Sequence, residues 1–212
     1  MLKPAAARRG MCCRSKKILE YWFGPLADEN DFPTSDITER WFKADTTTDD
    51  TIRCLFGDDC RWALRGDFDH WAERPKDLLA LIILLDQFPR NIYRGKGWAF
   101  LGDAHAQKLV LAGLERGDDQ QLWSAERMFF YMPLMHAESR ELQQRCVELF
   151  TQLCDTAPKA HRDTLKSSLR YAELHKDVID RFGRFPHRNL RLARQSSAEE
   201  LEFLKQPGSS FG

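Results

Sequence analysis

The sequence predicts an all-α fold, a single domain of about nine helices joined by short connections and packed as antiparallel pairs. Three observations predict it. Apolar residues along the 212-residue chain recur with a period near 3.6 rather than 2. Residues that start and stop helices punctuate the chain from residue 15 to residue 205. No Asn-Gly or Asp-Gly hairpin signal lies between alternating segments.

The elements follow in order. Ser15 opens a first helix that runs to Phe23 and stops at Gly24-Pro25. Residues 24–34 read as a loop, and Ser35 with Asp36 opens a helix carrying Ile37, Trp41 and Phe42. The cluster Thr46-Thr47-Thr48-Asp49-Asp50 caps the next, whose apolar side is Ile52, Leu55, Phe56, Trp62 and Leu64. Pro75 suits the first turn of a helix containing the apolar run from Leu78 to Leu85. That run is apolar all round, so its helix is expected at the centre, buried by its neighbours. Further helices are expected at about 103–116, 119–132, 139–154 and 158–182. In the third of these, Leu142, Cys146, Leu149 and Leu153 keep an amphipathic spacing. In the last, Leu165, Leu169, Ala172 and Ile179 mark one face, and Gly183 supplies a left-handed stop. Ser196 with Glu199, or Ser197 with Glu200, forms a capping box for a final short helix bearing Leu201, Phe203 and Leu204. No fixed repeat period is visible, so an irregular bundle fits as readily as a solenoid.

The domain is expected to span residues 15–206, between a disordered basic tail (1–14) and a flexible C-terminal tail (207–212). Residues 1–19 carry Lys3, Arg8, Arg9, Arg14, Lys16 and Lys17 and no acid. That bias suits an organelle-import presequence, with a plain disordered tail, or a start at Met11, as the alternatives. Lys plus Arg and Asp plus Glu are both 32. A balanced chain lacks the basic excess that nucleic acid needs, so no nucleic-acid partner is expected. The longest apolar run, eight residues from Leu78 to Leu85, falls short of the ~20 that span a bilayer, so no membrane partner is expected either. A cytoplasmic location follows as the expectation. Cys12, Cys13, Cys54, Cys60, Cys146 and Cys154 form no C-x-x-C pair and read as free thiols, Cys146 and Cys154 as small buried hydrophobes.

One local echo stands out. Gln87-Phe88-Pro89-Arg90-Asn91 resembles Arg184-Phe185-Pro186-His187-Arg188-Asn189, each placed just after a helix. Phe anchors the exit in the core, Pro forbids continuation, and Arg-Asn is left on a rigid turn. Four segments then resemble one bacterial family, that of domain of unknown function 924. They are Ile18-Leu19-Glu20-Tyr21-Trp22-Phe23-Gly24, the stretch from Leu85 to Gly95, Met132-Pro133-Leu134-Met135-His136-Ala137-Glu138, and the stretch from Arg181 to Asn189. The resemblance covers about residues 16–205 and implies a helical, tetratricopeptide-like fold without implying an activity. Ala137 stands where it implies Ser, and Leu192-Ala193-Arg194 where it implies a Leu-Gly-Arg turn.

Familiar catalytic motifs are missing. His136-Ala137-Glu138 matches the H-x-E of zinc deaminases, but no P-C-x-x-C follows it. No H-x-x-x-H pair, Walker loop or G-x-S-x-G elbow occurs. No metal or cofactor is expected. What remains is a set of polar groups at helix exits: Arg90, Asn91, His136, Glu138, Arg184, His187, Arg188 and Asn189. Guanidinium groups offer paired donors to carboxylate or phosphate. The leading reading is therefore a binding module whose basic pocket takes an anionic group, on a small ligand or a peptide end. The alternatives are a metal-independent enzyme using His136 or His187 as general acid-base, with Glu138 orienting the histidine, and a scaffold in which the same residues cap helix ends. Asp86 ends the apolar run and needs a partner, Arg90 at i+4 being the local candidate. Arg127 and Tyr131, one turn apart, line a pocket or pack structurally, and His175 reads as a core histidine. The six tryptophans read as core and interhelix packing.

Overall fold

A computed structural model describes residues 12–210, and among these the regular structure is helical, with no strand. The helices are α1 (Cys13–Phe23), α2 (Ser35–Phe42), α3 (Thr46–Leu64), α4 (Pro75–Ile82), α5 (Phe88–Ile92), α6 (Asp103–Arg116), α7 (Ser124–Met135), α8 (Arg140–Thr156), α9 (Arg162–Phe182) and α10 (Ala198–Phe203). A π-helical turn, Ile83–Gln87, joins α4 to α5 without a break, so the rods number nine among the described residues. No helix among them is long and apolar enough to cross a membrane.

The rod from Pro75 to Ile92 is the centre. Every side chain from Leu78 to Leu85 is fully buried, and α1, α3, α6 and α7 pack around the rod. Full burial of a Leu or Ile side chain stabilises by ~1.5–3 kcal/mol, so this run is the largest local contribution to the core. Trp22, Phe23 and Trp41 surround Phe129 with ring centroids 4.6–5.5 Å apart. Three of the tryptophans are buried core residues, namely Trp22, Trp41 and Trp71. Cys60, Cys146 and Cys154 are buried, and the six cysteines are all free.

Several expected boundaries shift, each for a physical reason. Pro89 does not end its helix. An α-helix would need its N–H to reach the Leu85 carbonyl, a donor that proline lacks. The chain widens instead, and the Phe88 N–H bonds the carbonyl of Ile83, five residues back. Gly102 then packs on the Leu85 carbonyl so closely that a Cβ there would lie 2.1 Å from the oxygen. The first helix begins at Cys13 and takes in Arg14, inside the expected tail, because Arg14 pairs with the buried Asp59 at 2.7 Å and the Cys12 N–H donates to Asp77 at 3.2 Å. Ser15 is no cap; its hydroxyl bonds the Cys12 carbonyl and the Asp77 carboxylate. Residues 1–11, the rest of that tail, lie outside the described residues.

Asp45, rather than the threonines after it, caps α3 by accepting from the Thr47 and Thr48 N–H groups. Helix α7 starts at Ser124 rather than Asp119, where the Glu126 carboxylate accepts from the Trp123 N–H at 2.9 Å. Asp119 is committed elsewhere, to the Tyr131 hydroxyl at 2.6 Å, with Arg127 donating to that hydroxyl at 3.0 Å. Arg127 and Tyr131 are thus a packing device. Of the two possible capping boxes, Ser197 with Glu200 opens α10. Residues 207–210 fold back rather than trailing away, with Ser209 buried and bonded to the Leu204 carbonyl.

Gly183 takes the left-handed conformation that ends α9, at φ 70°. Ala193 is left-handed too, at φ 53°, the one described non-glycine residue with positive φ. It stands where the resemblance implies glycine, so the turn keeps its shape at the steric cost of a Cβ.

Candidate functional site

The site is built outward from Asp86. The π turn directs this fully buried carboxylate toward the C-terminal end of α7, where its oxygens lie 2.8 and 3.0 Å from His136 Nδ1. Gln87 Nε2 donates to it at 2.5 Å, and Arg90, one turn on, lies 3.4 Å away. Burial opposes ionisation of Asp86, but the charge of Arg90 and the hydrogen bonds from His136 and Gln87 outweigh it and hold the carboxyl well below the usual range. Arg90 also donates to both oxygens of Asp103, at 3.0 and 3.2 Å, and to the Ala99 carbonyl at 3.1 Å. Asp103 is the first residue of α6, where the helix N-terminus favours negative charge.

Arg188 reaches the same carboxylate from the other Phe-Pro segment, its Nη1 donating to Asp103 Oδ2 at 3.1 Å. The Phe100 and Phe185 rings lie against the guanidinium, each centroid 4.6 Å from Cζ. The side chain is buried, and its Nε meets no partner among the described residues. Burial and the nearby Arg90 charge push its pKa down to about 10.

Three histidines line the same region. The His136 and His175 rings are 6.2 Å apart, and Phe185 touches His175 and His187 at 5.5 and 5.6 Å. Burial lowers all three pKa values, to about 3 for His175 and for His187, with Arg90 adding to it at His136 and Arg188 at His187. His136 is therefore neutral near neutral pH. With Nδ1 spent on Asp86 and 15% of the side chain still exposed, Nε2 is the ring atom left to meet a ligand.

The expected site residues divide into four groups. Arg90, His136, His187 and Arg188 come together, and the two arginines of the echo converge on one carboxylate. Asn91 belongs to another network, donating to Asp49 at 2.8 Å beside Arg94. Arg184 and Asn189 serve Glu200, at 2.6 and 3.3 Å, which fastens α10 to the turn after α9. Glu138 does not orient a histidine; it accepts from Arg194 at 2.6 Å and from the Phe185 N–H at 2.8 Å. His175 is buried, with Nδ1 2.7 Å from the Tyr171 carbonyl, as a core histidine should be. The arginines are thus matched by the chain's own carboxylates rather than gathered around an uncompensated basic hollow. Asp103, Phe100, Phe185, Arg194 and Glu200 were not legible as site residues. The equal count of acids and bases was the available signal, since buried arginines need carboxylate partners. Among the described residues no three His, Cys, Asp or Glu side chains converge so as to hold a metal.

The sequence matches the family described as bacterial protein of unknown function (DUF924) over residues 18–208, and the chain belongs to that family. It is similar to a solved protein of unknown function from Agrobacterium tumefaciens, at 34% identity and a TM-score of 0.76, covering 90% of this chain and 96% of that one. None of the curated proteins compared with it matches.

Proposed function

We propose that this family member binds an anionic group at the end of the Arg188 guanidinium, beside His136 and His187. The observation that carries this is Arg188 itself. Among the described residues it is buried between two phenyl rings, donates only through Nη1, and keeps a buried Nε without a partner. Buried donors are almost always satisfied, and a guanidinium edge has the geometry of a carboxylate or phosphate. The experiment is a thermal-shift titration with phosphate, sulfate and succinate on the wild type and Arg188→Gln. Anions should raise the wild-type Tm by mass action on the folded state and raise that of the variant much less. Equal responses, or none, would leave the scaffold reading in place.

A second reading is favoured by the Asp86–His136 pair. A buried carboxylate on Nδ1 fixes the tautomer and orientation of a neutral imidazole, the arrangement of a general base. On this reading His136→Ala keeps anion binding and loses turnover; on the binding reading it changes neither the anion response nor any chemistry.

A further inference from the structure

Beside Arg188 the surface is apolar and one-signed in charge. Trp98, Leu101 and Leu190 are 63%, 62% and 92% exposed, and Leu192 is exposed with them. They come from two segments that lie side by side. A Cβ on Gly97 would be 2.5 Å from the Arg191 carbonyl, and Phe100 stacks on Arg188. The platform has a fixed shape. Trp98 rests edge-on against Tyr93 at 5.7 Å. The loop bearing Leu190 is closed by Leu192 N–H to Arg188 carbonyl at 2.9 Å and Arg194 N–H to Asn189 carbonyl at 2.8 Å. Large apolar side chains held outward in an ordered loop mark an interaction surface.

Charge narrows the partner. Residues 94–102 and 187–194 contain Arg94, Lys96, Arg188, Arg191 and Arg194 and not one Asp or Glu, in a chain where the two signs are equal overall. Arg94 and Arg194 are paired with Asp49 and Glu138. Lys96 and Arg191 make no ion pair among the described residues. A second copy seated symmetrically on this patch would set these cations against one another. A bilayer surface could meet the leucines and the outer cations, whereas the buried Arg188 suits a single side-chain carboxylate.

We infer that residues 96–101 and 190–192 dock a segment of a partner protein that carries both leucine-like and Asp or Glu side chains, one carboxylate completing Arg188. This rests on the anion-binding reading and names its ligand as a side-chain carboxylate of a peptide. Apolar side chains would cover Trp98, Leu101 and Leu190, and further acids would face Lys96 and Arg191.

The test is selection from a random short-peptide library on the full chain, followed by fluorescence anisotropy of the selected peptides. Selected sequences should combine apolar with acidic residues. Leu190→Ser, an exposed change, should weaken them by about tenfold or more while leaving the phosphate-induced Tm shift intact; Arg188→Gln should weaken both. Glu→Gln in the peptide should weaken binding as Arg188→Gln does. Phosphate response without peptide selection would overturn this inference and spare the anion-binding reading, whereas absence of both would overturn both. Leu190-dependent binding to phosphatidylserine vesicles with no peptide selected, or a Leu190-dependent dimer in sedimentation equilibrium, would overturn it in favour of a membrane surface or a second copy.

Discussion

The central rod with the helices around it and the last stretch of the chain, from Val178 onward, are held by different forces. The first shares one continuous apolar cluster that runs from Ile18 to Ala172. Among the described residues the second has a buried cluster of Val178, Ile179 and Phe185, with Phe182 and Phe203 packed against it. Ion pairs supply what apolar area does not: Arg181–Glu199, Arg184–Glu200, Arg194–Glu138 and Arg188–Asp103 tie this stretch to itself and to the bundle. The candidate site lies on the seam, with Asp86, Arg90 and His136 from the apolar body and His187 and Arg188 from the ionic end. Burial leaves the first set little affected by salt, while the partly exposed ion pairs that hold the second respond to it. A site assembled this way has one rigid wall and one adjustable wall.

The largest effect should come from Asp103→Ala, which leaves the buried Arg188 without its carboxylate and Arg90 with Asp86 alone, and should destabilise by ~3–5 kcal/mol in urea unfolding. A cost below ~1 kcal/mol would mean that Arg90 and Arg188 find water instead, and the seam would not be ionic. Next comes pH. The folded His175 and His187 pKa values, about 3, lie below the ordinary value near 6.5. As pH falls below that ordinary value, the unfolded chain takes up protons that the folded one refuses, so stability drops until the folded pKa values are reached. The expected loss is about 1–2 kcal/mol per pH unit between pH 6 and 4, less than the full two-proton slope because His187 keeps some solvent. Asp86, Glu138 and Glu200, whose folded pKa values are lowered, add their loss only below the ordinary carboxylate range, near pH 4. A Tm independent of pH from 7 to 5, or one that His175→Gln fails to flatten, would break this part of the comparison. The smallest effect is Arg194→Gln, ~0.5–1 kcal/mol for a pair exposed by 25% and 26%, and high salt should reduce it. The same effect persisting in high salt would move Arg194 to the salt-insensitive side.

The apolar body was far more legible than the ionic end. Periodicity and caps place α6 at its observed bounds, and the run from Leu78 to Leu85 announces its own burial. Helix starts were missed where a competing side chain was nearer, as with Asp45 before the threonines. The likeness of the two Phe-Pro segments pointed to Arg90 and Arg188, and the end of the apolar run pointed to the Asp86–Arg90 pair. That both arginines converge on Asp103 depends on which helix start lands beside them, a tertiary fact that local patterns do not encode. Arg184 and Asn189 misled for the same reason, since a polar residue after a helix looks alike whether it faces a site or fastens a neighbouring helix.

The widened turn in the central rod has a bearing on how this chain can vary in length. An α-helical residue advances the helix by about 100° of rotation, and the π turn absorbs roughly one residue more than a regular helix of the same rise would hold. The segment Ile83–Gln87 therefore sets the angular phase of everything after it. With one residue fewer, Arg90 would swing about a quarter-turn away from Asp103 while the core before Ile83 stayed as it is. Substitutions at this point alter one contact at a time; a change in residue count would uncouple the two halves of the site in a single step.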